Sequence, residues 1–231
     1  MFEEFIQPDQ LLPEQLDEVL ALGWFRMGPS IFTTEFITFD QKIFRTLWLR
    51  LVLSTYQHSS TFRKLEKRNP DFRIECKPLQ LSDNHHVLYR QYRQAMSFQM
   101  SPTINSLLYG WDQGSDSIFD TQQLEVYDGD ELIGCSFFDC GEQSAQGISS
   151  FYHPDYEKHS LGRYMIYLQI DFCKQLGMHF YYPGYFVPGY PHLDYKLKIG
   201  TSSLEFLHPY QNRWLPIGEY HDLGLPFPFT F

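Results

Sequence analysis

The sequence lacks any apolar run of the ~18 residues that a membrane-spanning helix needs. Its start, MFEEFIQPDQ, has neither a basic opening nor a hydrophobic stretch. A membrane protein and a secretory leader are excluded on this reading, and a cytoplasmic location is expected. Cysteine is scarce: Cys76, Cys135, Cys140 and Cys173 are scattered without CxxC spacing. That excludes a disulfide framework and predicts reduced thiols in the core. No phosphate loop, HExxH pair or Ser/His/Asp order occurs. The nine histidines show no metal-ligand spacing; His85 and His86 are adjacent and cannot share one helix face. Neither a metal nor a cofactor is expected, and no internal repeat or low-complexity segment is visible.

Positive charge is also short. Lys and Arg number 18 against 28 Asp and Glu, a net charge of −10. Such a surface repels a nucleic-acid backbone, so any RNA contact must rest on local charge. Arg63-Lys64-Leu65-Glu66-Lys67-Arg68 is the basic cluster, with Arg45, Arg50 and Arg73 near it in sequence. A tRNA-facing surface and a plain solvated helix face both account for it.

What is present is a core. The chain has 231 residues, 43% hydrophobic and 18% aromatic, enough for one large or two small packed domains. PEQLDEVLAL reads as a short helix stopped by Gly23. SIFTTEFITF and KIFRTLWLRLVLSTY read as strands, Arg63 to Arg68 as a helical turn, and FRIECKPLQL as another strand. Ser82-Asp83 caps a helix, and TINSLLYGW is a second, shorter one. Leu124–Tyr127 and Glu131–Phe138 flank Asp128-Gly129-Asp130, a hairpin signal. Gly147–Tyr152 adds a strand, Ser160–Leu176 a helix stopped by Gly177, and Met178–Tyr182 a returning strand. LEFLHP and the proline-punctuated tail read as an irregular wrap. This order predicts an α+β fold, with a small N-terminal α/β subdomain over 1–80 and a mixed-sheet domain with flanking helices over 81–231.

The segment from Gly147 to Lys196 carries the strongest functional signal. A buried strand followed by a helix opening at Ser160-Leu161-Gly162 offers free backbone N–H groups to an anionic or carbonyl group. A Gly/Pro-rich loop crowded with tyrosines follows. Tyr152, Tyr156, Tyr164, Tyr182, Tyr185 and Tyr195 fit either a satisfied core or a slot whose ring faces stack on a base. Asp139 and His153, near the ends of adjacent predicted strands, are candidate catalytic groups with Tyr185; a structural role for His153 stays open.

Four motifs add a family resemblance. They are Tyr152-His153-Pro154-Asp155-Tyr156, Ser160-Leu161-Gly162-Arg163-Tyr164, Tyr182-Pro183-Gly184-Tyr185 and His192-Leu193-Asp194-Tyr195-Lys196. With Gly23-Trp24-Phe25-Arg26-Met27-Gly28 upstream, they resemble, in order, the aminoacyl-tRNA–protein transferases, which include arginyltransferases and bacterial leucyltransferases. The resemblance implies an N-acetyltransferase-like fold and an arginyltransferase-like activity. That activity moves an aminoacyl group from aminoacyl-tRNA to the N-terminal α-amine of acceptor proteins. It implies substrate contacts at Trp24, Arg26, Gly28, Tyr152, Ser160, Leu161, Gly162, Tyr164, Tyr182, Gly184, Tyr195 and Lys196; for a tRNA substrate, Arg63, Lys64, Lys67 and Arg68 of the basic cluster are the candidate contacts. Arg26 and Lys196 are expected to meet and supply the site's positive charge, in a monomer.

The departures matter. Where the family carries N-terminal cysteines, this chain has Thr33-Thr34-Glu35-Phe36, which cannot hold a metal or Fe–S centre. Two alternatives therefore stay open: a degenerate module that binds tRNA or protein N-termini, and a small-molecule N-acyltransferase. The second is disfavoured because HSLGRYMI lacks the Gly-x-Gly/Ala turn for a pyrophosphate.

Overall fold

The computed structural model describes residues 3–39, 41–110 and 117–223. The N-terminal third holds β1 (Glu3–Ile6), α1 (Pro13–Ala21), β2 (Phe25–Met27), β3 (Ser30–Thr34), β4 (Phe36–Phe39), β5 (Lys42–Arg45), β6 (Leu47–Val52), α2 (Ser60–Arg68) and β7 (Arg73–Pro78). Then come α3 (Asp83–Ala95), α4 (Ile104–Tyr109), β8 (Thr121–Asp128), β9 (Glu131–Cys140) and β10 (Ser144–Tyr152). The chain continues through α5 (Leu161–Gln175), β11 (Phe180–Phe186), β12 (Leu204–Leu207) and β13 (Trp214–Pro216).

An eight-stranded mixed sheet runs β13-β12-β6-β11-β10-β9-β8-β7. The α+β expectation holds, and the sequence β7–α3–α4–β8–β9–β10–α5–β11 is the N-acetyltransferase-type arrangement. The division expected at residue 80 does not follow this sheet. β6 inserts between β11 and β12, and β7 forms the far edge, so both come from before that boundary. Outside it lie the three-stranded β1-β3-β2 sheet and the β4–β5 hairpin.

Local chemistry sets the breaks. The two long strands expected over 30–39 and 42–56 are each cut. Thr46 donates its backbone N–H to the Glu35 carbonyl at 2.9 Å and its hydroxyl to the Thr34 carbonyl at 2.5 Å. The chain thus peels off β4–β5 as a separate hairpin. LEFLHP and WLP, expected as irregular wrap, instead extend the sheet as β12 and β13. Trp111 and the tail beyond 223 lie outside the described residues.

Three apolar clusters clamp the sheet. α5 and α2 cover one face through Leu161, Met165, Ile170, Phe62 and Leu65. α3 and α4 cover part of the other with Leu88, Tyr89 and Leu108 against Phe137 and Phe151. The small sheet and α1 cover the rest, with Phe25 stacked on Trp48 at 4.0 Å and Leu16 and Leu20 buried. Cys135, Cys140 and Cys173 are buried and Cys76 half-buried, all four as free thiols. Among the described residues no helix is long and apolar enough to cross a membrane.

Candidate functional site: a splayed parallel strand pair

β10 and β11 are parallel and pair over only three positions, Ser144–Phe180, Ala145–Tyr181 and Gln146–Tyr182. Beyond that both strands run on but part. Each carries an irregularity where it leaves: β10 between Gly147 and Ser149, β11 between Tyr181 and Gly184. Pro183 has no N–H to give a ladder, and Gly184 sits at φ +85, open to a residue without Cβ. The result is a V-shaped opening at the C-terminal ends of two parallel strands.

A tyrosine holds the V open. Tyr181 is buried and its hydroxyl donates to Gln169 Oε1 at 2.5 Å, while Gln169 Nε2 donates to Ser136 Oγ at 2.9 Å. A Cβ at Gly147 would stand 2.5 Å from the Tyr181 Oη. Gly147 is thus the space into which the phenol reaches. Replacing Gly147 by Ala should cost about 1–3 kcal/mol in denaturant unfolding, the usual range for overpacking. Combined with Tyr181→Phe, the loss should be smaller than the sum of the single changes by on the order of 1 kcal/mol. Strict additivity would show that the two groups do not compete for this space.

At the level where the strands part lies a buried ion pair. Arg26 Nη1 meets Asp139 Oδ1 at 2.8 Å, with both side chains at most 1% exposed. Asp139 also accepts from Thr121 Oγ1 at 2.6 Å and Gln146 Nε2 at 3.0 Å. Arg26 further donates to the Gly28 and Leu108 carbonyls, at 2.7 and 2.6 Å, and lies 4.3 Å over the Phe119 ring. Burial pushes the Asp139 carboxyl up from its usual range, against the pull of Arg26 and its hydrogen bonds.

These contacts correct three expectations. Arg26 is spent on Asp139 and does not join Lys196 as a free cation. Asp139 is sealed from substrate. It is also separated from His153 by the length of β10: it pairs with Gln146, seven residues before His153, about 20 Å of strand. His153 starts the 3-10 turn Pro154–His159, its Nδ1 accepting the Asp155 N–H at 3.3 Å. A turn-forming role accounts for that ring. Trp24 is half-buried in the cluster beneath the small sheet, and Gly28, at φ +60, packs against Gly110.

Other expected residues do converge on the opening. Lys196, in the 3-10 turn Pro191–Lys198, donates from Nζ to the Tyr185 carbonyl at 2.8 Å. A Cβ on Gly184 would stand 3.2 Å from Nζ. Nζ has no ion-pair partner among the described residues, and enclosure by protein pushes its pKa down to about 8. Tyr185 packs edge-on to Trp48 at 5.0 Å. Tyr152, at the end of β10, packs 5.0 Å from Tyr92 of α3 and lies 3.4 Å from a Cβ built on Gly162. Burial, with smaller contributions from neighbouring Tyr152 and Tyr195, pushes the Tyr92 phenol up to about 12. Tyr92 and Tyr181 were not among the expected site residues. Both were visible only as helix and strand aromatics.

Ser160 and Gly162 behave differently from a simple cap. Ser160 is left-handed at φ +52 and its side chain caps nothing, so the first N–H groups of α5 have no side-chain acceptor. Leu161 is fully buried and Tyr164 nearly so. Tyr156 donates to Asp128 at 2.8 Å, away from the opening. Tyr182 faces the opposite, N-terminal side of the sheet, beside a cavity of about 330 Å³ lined by Glu14, Asp17, Glu18 and Glu142. That acidic end repels anions. The unpaired cation sits at the other end of β11.

A parallel pair splayed over a crossover helix makes the architecture one of the N-acetyltransferase type. The family model for "Arginine-tRNA-protein transferase, C terminus" matches residues 84–205. Among curated proteins the chain is 30% identical to an aspartate/glutamate leucyltransferase of Acinetobacter baumannii over 218 residues, 90% of this chain and 77% of that one. A Leptospira interrogans protein of the same name is 26% identical, covering 92% of this chain and 82% of that one. The chain belongs to the aminoacyl-tRNA–protein transferase family. Among solved structures it is similar to L-PGS from Bacillus licheniformis (TM-score 0.44, 12% identity, 76% of this chain and 51% of that one). It is also similar to FemX (TM-score 0.46, 8% identity, 81% and 64%).

Proposed function

We propose that this chain moves a leucyl group from leucyl-tRNA to the α-amine of proteins that begin with Asp or Glu. The observation that carries the reading is Lys196: a half-buried ammonium, bound to the Tyr185 carbonyl and free of any carboxylate among the described residues, at the mouth of the splay. Such a cation suits the side-chain carboxylate of an acidic N-terminus. It disfavours an arginyl side chain in the same slot, so leucine is preferred to the arginine that the motifs first suggested. The names of the relatives point the same way.

The reaction asks little of the protein. The neutral acceptor amine attacks the ester carbonyl, a C–N bond forms, the C–O bond to ribose breaks, and the amine's proton ends on the ribose oxygen. The ester is already activated, so positioning and an oxyanion donor supply the rate. Tyr185 and Tyr195 shape the slot, and the Tyr195 phenol, without a hydrogen-bond partner among the described residues, donates to the developing oxyanion. The uncapped N–H groups of α5 face the phosphate of the tRNA end.

The basic cluster supports a tRNA-facing surface. Arg68 donates to the Lys158 carbonyl at 2.8 Å, docking α2 onto the loop that opens α5. Arg63, Lys64 and Lys67 stay exposed, as do Lys158 and Arg163 beside them. Replacing Lys64 and Lys67 together by Glu should weaken tRNA binding about tenfold and flatten its salt dependence by roughly one to two log units per log unit. Filter binding across a salt series checks this. An unchanged slope would remove α2 from the interface.

Incubating the protein with charged tRNAs and peptides starting with Asp, Glu, Arg or Lys tests the reading as a whole. Leucyl transfer confined to Asp and Glu is expected. tRNA binding without any transfer would favour the binding-module reading.

A further inference from the structure

Arg45 is the buried cation that the fold leaves unfinished. Its side chain is 10% exposed, and its Nε and Nη1 are sealed from solvent with no hydrogen-bond partner among the described residues. Nη2 donates to Tyr210 Oη at 3.1 Å, and Glu35 Oε2 stays 4.0 Å from Nη1. The guanidinium lies 4.6 Å over its cross-strand partner Phe36 and 5.2 Å under Tyr210. Two orphaned donor nitrogens on a charged group are costly to keep. A guanidinium fork with two free N–H groups fits a phosphate better than any other common partner.

The cover over it is lightly held. Tyr210 is 69% exposed and is held by its hydroxyl's bond to Arg45 and by ring contacts with Arg45 and His208. It sits on the β12–β13 loop, whose turn is held by His208 Nδ1 accepting the Tyr210 and Gln211 N–H groups at 3.1 and 3.2 Å. Arg213, exposed on the same loop, adds a cation without an ion-pair partner among the described residues. An exposed tyrosine beside an arginine offers a base-stacking platform next to a phosphate contact.

The position relates this pair to the splay. Arg45 is two residues before Leu47, which pairs with Phe186 at the end of β11, next to Tyr185 and the Lys196 contact. Strand geometry puts it on the order of 10–15 Å from Tyr185, within reach of a short single-stranded end.

We infer that Arg45 and Tyr210 form a binding site for a phosphodiester and its base near the single-stranded 3′ end of the tRNA, with Tyr210 swinging from Arg45 onto the base. This rests on the proposed transfer reading for the identity of the RNA, but its test does not. The probe is a fluorescent RNA oligonucleotide ending in CCA, titrated against the whole protein, with inorganic phosphate as competitor. Arg45→Gln keeps most of the shape and removes the charge; Tyr210→Ala removes an exposed ring and should not unfold the chain. Each should weaken oligonucleotide binding about tenfold or more, and raise KM for aminoacyl-tRNA with kcat little changed. Thermal melts of both variants accompany the titrations; if Arg45→Gln unfolds, Tyr210→Ala carries the test. Wild-type affinity in Tyr210→Ala, or in a folded Arg45→Gln, overturns the site. So does phosphate binding that Arg45→Gln abolishes while oligonucleotide affinity stays, which would mark an anion pocket unrelated to RNA. Loss of oligonucleotide binding in a protein that transfers nothing supports the site and overturns the transfer reading.

Discussion

Lys196→Met should lose about 10- to 100-fold in kcat/KM toward acidic N-termini and yet leave a more stable protein. The activity loss is that of a charge-assisted hydrogen bond in an enclosed site, about 1.5–3 kcal/mol. The stability gain follows from the ammonium's enclosure, which brings its folded pKa to about 8, while an unfolded lysine titrates near ~10.4. Below pH 8 both states carry the proton, and the folded state bears the full cost of holding a charge away from water. Between pH 8 and 10.4 the unfolded chain keeps a proton that the native one has shed, so this group makes stability rise with pH in that window. Methionine keeps the stem, removes that cost of about 1–3 kcal/mol, and abolishes the rise. Denaturant melts at pH 7 and pH 10, beside steady-state transfer, check both halves. On the proposed reading transfer needs Lys196 charged and the acceptor amine neutral, and both titrate near ~8, so wild-type activity should peak near there. The variant should lose the alkaline fall. A destabilised Lys196→Met with normal turnover would make the lysine structural.

Arg26→Met should cost about 3–5 kcal/mol of folding stability, because it strands Asp139 as an uncompensated charge in a sealed site. Adding Asp139→Asn should recover about half or more of that loss, since the orphaned charge disappears with it. Urea unfolding of the two single variants and the double variant measures the coupling. If Arg26→Met folds normally and loses only substrate affinity, the arginine is a binding residue, and the scaffold role given to this pair is wrong.

What the sequence made legible tracks how local each cause is. α1, α3 and α5 could be read from Pro13, Ser82 and their apolar spacing, and the β8–β9 hairpin from Asp128-Gly129-Asp130. The insertion of β6 between β11 and β12 could not, because strand order across a mixed sheet depends on partners over a hundred residues away. Glu35 and Thr46 looked like strand interior; the Thr46 bonds to the Glu35 and Thr34 carbonyls turn the chain there. The site divides the same way. Lys196, Gly184 and Tyr185 were visible through motif and loop chemistry. Arg26 was visible as a cation, but its partner Asp139 lies 113 residues on, and no pattern in the sequence announces that the two neutralise each other. Tyr181 opens the V by entering the space left at Gly147, a fit between two strands that neither strand encodes alone.

On the proposed reading the splay delivers an aminoacyl group to an acidic N-terminus held by Lys196. The most direct measurement is single-turnover transfer of radiolabelled leucine from leucyl-tRNA to a matched peptide series beginning with Glu, Gln, Asp, Asn and Lys, with wild type and Lys196→Met. Wild type should label the Glu and Asp peptides and discriminate against their amides by about tenfold or more, a preference that Lys196→Met should erase. Equal labelling of Glu and Gln peptides by the wild type, or undiminished discrimination in the variant, would contradict the account.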